Sequence, residues 1–93
     1  MASPVNTWQI EISRTAEKQI LGLDRTAQKK ILEFLRERLH TSRNPRQFGK
    51  PLQGDKKGLW RYRVGDYRLI CDIQDERITV LALRVGHRKE AYR

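Results

Sequence analysis

The run Gly58-Leu59-Trp60-Arg61-Tyr62-Arg63-Val64, followed by Asp66-Tyr67-Arg68, alternates arginines with aromatics. In an extended chain, successive side chains point to opposite faces, so Arg61 and Arg63 share one side and Trp60, Tyr62 and Val64 the other. Arg68 opens the next apolar run and can lie across the turn from that pair. Guanidinium groups carry a fixed charge and a fork of donors that matches phosphate oxygens. Arginines on an exposed sheet face are also ordinary solvated charge, with Asp66, Asp72 or Glu76 as weak partners. Spacing alone leaves both readings open.

The last nine residues add Val85-Gly86-His87-Arg88-Lys89-Glu90-Ala91-Tyr92-Arg93. Imidazole titrates near neutral pH, and His87, set among Arg88 and Lys89, is a candidate general base. A histidine at a strand end is equally a surface residue. Tyr92 can stack on a base or simply pack the chain end. His40 is assigned to a helix end, and Cys71, alone of its type, to a buried structural position. One Cys and two distant His give no zinc spacing, so no metal and no cofactor are expected.

The elements that must carry these residues follow from periodicity. Thr7 to Ile12 alternates apolar and polar side chains, which predicts a strand with Trp8, Ile10 and Ile12 inward. Ser13 is a helix N-cap, with Ala16, Ile20 and Leu21 at helical spacing and Gly22 as a stop. Asp24 caps a longer second helix whose stripe is Ala27, Ile31, Phe34, Leu35 and Leu39, ending near His40 to Ser42. Arg43 to Lys57, with Pro45, Gly49, Pro51 and Gly54, predicts a basic loop. Three strands follow, Leu59 to Val64, Tyr67 to Ile73 and Ile78 to Val85, joined at Gly65-Asp66 and Asp75-Glu76. The expectation is an α+β fold: two N-terminal helices packed on a small, twisted, mainly antiparallel four-stranded sheet.

Ninety-three residues suit a single domain spanning 1–93, with a net charge of +9 and a hydrophobic content of 38 %. A folded chain so basic favours a polyanionic partner, nucleic acid or an acidic protein. No stretch approaches the roughly 20 apolar residues of a membrane span, and Met1 to Thr7 lacks a signal-peptide pattern, so a cytoplasmic location without membrane association is expected.

The segments Lys50-Pro-Leu-Gln-Gly54, Leu59-Trp-Arg-Tyr-Arg63, Asp66-Tyr-Arg-Leu-Ile70 and Val85-Gly-His-Arg88, with the terminal Tyr92-Arg93, resemble RelE-type toxins of the RelE/ParE superfamily. The resemblance implies the toxin of a type II toxin–antitoxin pair, a metal-independent endoribonuclease that enters the ribosomal 30S A site and cuts messenger RNA by attack of the RNA's own 2′-hydroxyl. It implies an acidic, RelB-like antitoxin as partner. Carried over by position, Arg61, Arg63, Arg68, Arg88 and Tyr92 match the family's catalytic positions; His87 is added to this catalytic set as the candidate base, and Lys50, Lys56, Lys57, Arg84 and Lys89 are expected to bind RNA. The family often has lysines where Arg61 and Arg63 stand. Arginine is too weak an acid to carry protons at neutral pH, so His87 is the expected base. The alternatives are a ParE-like, non-catalytic inhibitor of DNA gyrase sharing the fold, and a basic RNA- or antitoxin-binding module with an incomplete catalytic set.

Overall fold

The computed structural model describes residues 7–87. Its strands are β1 (Gln9–Ile12), β2 (Gly49–Pro51), β3 (Trp60–Val64), β4 (Tyr67–Gln74) and β5 (Thr79–His87), and its α-helices α1 (Arg14–Leu21) and α2 (Arg25–Glu33). They form one five-stranded sheet in the order β1-β5-β4-β3-β2. β2, β3, β4 and β5 pair antiparallel, whereas β1 lies parallel to β5. The α+β class and the mainly antiparallel sheet agree with expectation, but there are five strands rather than four. The additional strand, β2, falls inside the stretch expected to be a loop. Gly49 and Pro51 argue locally against a strand, and only pairing with β3 at the sheet edge, where proline is tolerated, makes one.

Both helix starts are capped as expected. Ser13 accepts from the Ala16 N–H at 3.0 Å and Asp24 from the Ala27 N–H at 2.8 Å. α1 turns Ala16 and Ile20 inward but leaves Leu21 68 % exposed, because it sits a helical step of about 100° from Ile20. Ile12, expected inward, is 37 % exposed because β1 is the outermost strand. The second helix runs as far as expected but changes form: Phe34–Leu39 is π-helical, and the His40 N–H donates to Leu35 O, five residues back, at 3.0 Å. Leu35 and Leu39 are both buried along it, and the Phe34 ring lies 5.6 Å from that of Tyr62.

The core lies between the helices and one sheet face. Ile31, Leu39, Tyr62, Leu69 and Val80 are fully buried there, each apolar side chain contributing roughly 1.5–3 kcal/mol. Tyr62 donates its hydroxyl to Pro45 O at 2.9 Å, which joins the inner face of β3 to the preceding loop. Cys71 is buried as expected, and burial pushes its thiol up to about 12. His40 does close a helix end: Trp8 N–H donates to His40 O at 2.9 Å, and His40 Nδ1 lies 2.7 Å from Trp8 O, so that nitrogen carries the hydrogen.

Past the end of β1, α1 completes the edge of β5. Ser13 Oγ donates to Leu83 O at 3.0 Å, and Gln19 Oε1 accepts from the Val85 N–H at 2.6 Å. These side chains satisfy backbone groups that would otherwise be left without a partner strand, beside the irregularity in β4–β5 pairing at Ile70/Cys71. Among the described residues, no helix is long and apolar enough to cross a membrane.

Candidate nucleic-acid interface

Directly paired residues in an antiparallel sheet share a face, so the register fixes which cations meet. Lys50 is opposite Arg61, Arg61 opposite Ile70, and Ile70 opposite Arg84, which makes one row across four strands. In the next row Arg63 is opposite Arg68, and Arg68 opposite Gly86. Lys50, Arg61, Arg63, Arg68 and Arg84 therefore project from one face, the one turned away from the core. Tyr62, Leu69 and Val85, one residue out of phase, fill the other face.

Two of these pairings set like charges directly opposite, Lys50 with Arg61 and Arg63 with Arg68. Such pairs destabilise a sheet. The ion pairs Arg46–Asp75 and Arg77–Glu11 form elsewhere, from cations outside this face. Ile70, only 2 % exposed, gives the rows an apolar floor, and Gly86 presents bare backbone beside Arg68. Such a face suits a chain of phosphates, with fixed cations at intervals.

The edge carrying Lys50 is held by contacts on the core side. Arg46 binds Asp75 through both guanidinium arms, Nη1 to Oδ1 at 2.9 Å and Nη2 to Oδ2 at 2.6 Å. Its guanidinium also lies 5.7 Å from the centroid of the Trp60 ring. The hydrogen bonds to Arg46 hold the Asp75 carboxyl below the usual carboxylate range. This clamp fixes the short 3-10 turn Pro45–Phe48 immediately before β2. Gly49 then pairs with Tyr62, where a Cβ would lie 2.8 Å from Arg61 O and 2.9 Å from Tyr62 Cε1, so a side chain there would force the strands apart. Sequence reasoning missed this support. The contact of Arg46 with Asp75 spans 29 residues and leaves no local signal.

The structure thus brings together Arg61, Arg63 and Arg68 of the expected catalytic set, with Lys50 and Arg84 of the expected RNA-binding set. Lys56 and Lys57 lie in and just after the 3-10 turn Gly54–Lys56, in the connection between β2 and β3 and not on a strand. Arg88, Lys89 and Tyr92 fall outside the described residues. His87 sits differently. It pairs with Tyr67, the two rings edge-on with centroids 5.9 Å apart, and so lies on the core-side face, opposite the arginines. Its place among Arg88 and Lys89 had implied an exposed, cation-rich setting, whereas strand alternation turns its side chain to the face opposite Arg68 and Arg84.

Comparison with known proteins agrees with this architecture. Residues 10–92 match the family model of the ParE toxin of type II toxin–antitoxin systems, parDE. The chain is 36 % identical over 86 residues to Toxin RelG of Mycobacterium tuberculosis, covering 92 % of this chain and 97 % of the relative. The chain belongs to the RelE/ParE toxin superfamily, as a RelE-type toxin. Toxin RelE of the same organism is 31 % identical over 86 residues, 92 % of this chain and 87 % of that one. Among solved structures, the toxin–antitoxin complex RelBE2 of M. tuberculosis matches with a TM-score of 0.81 at 33 % identity, over 87 % of this chain and 98 % of that one. The RelE–RelB complex of Pyrococcus horikoshii matches at 0.70 and 28 % identity, over 91 % and 99 %. This RelE-type toxin accordingly shares its fold with proteins crystallised beside antitoxins.

Proposed function

We propose that this RelE-type toxin is a ribosome-dependent endoribonuclease that cuts messenger RNA in the A site, by attack of the RNA's 2′-hydroxyl on the adjacent phosphate. The observation that carries the proposal is the set of like-charged cross-strand pairs Lys50–Arg61 and Arg63–Arg68, with Arg84 in the first row. Five cations on one face suit a phosphorane whose negative charge grows in the transition state. The nucleophile belongs to the substrate, and the reaction ends in a 2′,3′-cyclic phosphate and a 5′-hydroxyl. Proton transfer falls to groups other than the arginines, since a guanidinium is too weak an acid to carry protons at neutral pH. Action on the ribosome fits such a site, because charge stabilisation is most effective on a substrate already held for in-line attack. An antitoxin partner of the RelB kind is part of the same proposal, as the matched complexes contain one.

The test is to induce the protein in cells and map new 5′ ends on messenger RNA. Cuts phased with codons, absent with Arg68→Ala, support cleavage. The matching family model favours a second reading, a ParE-like inhibitor of DNA gyrase. Intact messages together with arrested replication and inhibited supercoiling would establish that reading in place of the first.

A further inference from the structure

A groove of about 420 Å³ opens beside the end of β3. One wall is Arg63 and Val64; the other is Lys30, Glu33, Phe34, Glu37 and Arg38, from α2 and the π-helical turn after it. Steps of three and four residues align those five in one stripe along the helix. The groove is open because β2 reaches only as far as Tyr62, so among the described residues no strand lies beyond it against Arg63 and Val64. These two residues belong to opposite faces of β3, yet both line the groove, which therefore runs from the helix side round the strand end to the basic face. Arg63 is common to both. The helical wall is braced: the Phe34 ring rests on that of buried Tyr62, and the Arg38 guanidinium lies 5.9 Å from the centroid of the Phe48 ring, a cation–π separation.

The mixed lining selects its occupant. Glu33 and Glu37 oppose a phosphate inside the groove, and they oppose an acidic peptide equally. Phe34 and Val64 offer apolar surface, while Lys30 and Arg38 donate hydrogen bonds and the two carboxylates accept them. A nucleobase matches this set, being uncharged, flat, apolar on its faces and lined with donors and acceptors along its edge. We propose that the groove is a base-binding subsite for a nucleotide flanking the scissile phosphate, with the phosphate of that nucleotide held at the mouth by Arg63; this rests on the endoribonuclease reading above. Single-stranded RNA allows the arrangement because its bases can be turned out and read on their edges. Carboxylates accept from amino groups, which adenine, guanine and cytosine carry and uracil lacks. The toxin itself therefore discriminates against uracil at the flanking position.

The experiment measures cleavage of messenger RNA on programmed ribosomes, with the nucleotide on each side of the cut varied through all four bases. Wild-type toxin should cut uracil at one of the two positions about tenfold less efficiently than the amino-bearing bases. Glu33→Gln combined with Glu37→Gln should largely erase that difference, because a carboxamide both donates and accepts and so admits uracil. Arg38→Ala should raise KM about tenfold with kcat little changed, since it removes binding beside the reacting atoms and not at them. If Arg38→Ala fails to fold, Glu37→Gln, near-isosteric at an exposed position, decides through base preference. Codon-phased cutting that ignores uracil, or a preference and KM that survive these substitutions, overturns the subsite alone. Substitutions that alter affinity for the antitoxin and leave base preference and KM intact assign the groove to that partner and overturn the subsite as well. Absence of cleavage together with inhibited supercoiling overturns the endoribonuclease reading and the subsite with it.

Discussion

Replacing Gly49 by Ala tests whether the basic face depends on how closely β2 approaches β3. The Cβ would lie 2.8 Å from Arg61 O, 2.9 Å from Tyr62 Cε1 and 3.0 Å from Cδ1. The first contact is with backbone and the others with a buried, packed ring, so neither can yield without moving a strand. Overpacking of this kind costs about 1–3 kcal/mol. At φ −130° and ψ −176° the Gly49 backbone suits alanine, which returns about 0.4–1 kcal/mol through the unfolded chain. The net expectation is a loss of about 1–2 kcal/mol, or a Tm lower by roughly 4–15 °C for a domain of this size. β2 has only three residues and can also yield by peeling from the edge, which would separate Lys50 from Arg61 and weaken RNA binding. Thermal unfolding by circular dichroism and NMR contacts between the backbones of Lys50 and Arg61 measure the two outcomes. A Gly49→Ala variant with wild-type Tm and an intact Lys50–Arg61 pairing would refute the steric reasoning.

Four further outcomes follow from the same geometry. Tyr62→Phe removes the hydroxyl that donates to Pro45 O inside the core and should destabilise by about 1–3 kcal/mol in urea unfolding. Binding of single-stranded RNA through Lys50, Arg61, Arg63, Arg68 and Arg84 should give a slope of log K on log salt near about −3.5, falling to about −2.8 in Arg63→Ala. His87→Ala, on the face away from the arginines, should reduce cleavage by less than the roughly 10² that loss of a general base costs; a larger loss at preserved RNA affinity would place His87 in the chemistry. The Cys71 thiol, pushed up to about 12, stays protonated in the folded protein through pH 9 and should resist iodoacetamide until denaturant is added. Its linkage has one sign: the buried neutral thiol contributes stability below its ordinary value of 9.0, and that contribution is lost as pH rises toward 12.

Much of the scaffold was legible because its signals are local. Ser13 and Asp24 cap helices because each side chain meets an N–H three residues on, a distance the sequence itself counts. Trp60-Arg-Tyr-Arg-Val64 divides into two faces because the period of a strand is two, and Tyr62 is buried accordingly. The π-helical turn escaped notice because Leu35 and Leu39 keep a spacing that an α-helix would also bury.

The sequence by itself determined the cations: their number, their alternation with aromatics, and their placement on strands rather than along one helix. Tertiary structure decided which of them meet. Register set Lys50 opposite Arg61 and Arg63 opposite Arg68, and the same register turned His87 to the core side. It also made a strand of Gly49–Pro51 and fastened the preceding turn through Arg46 and Asp75. The physical reason is that strand alternation is a property of a few consecutive residues, whereas the partner across a sheet is chosen by long-range burial and by turns far along the chain.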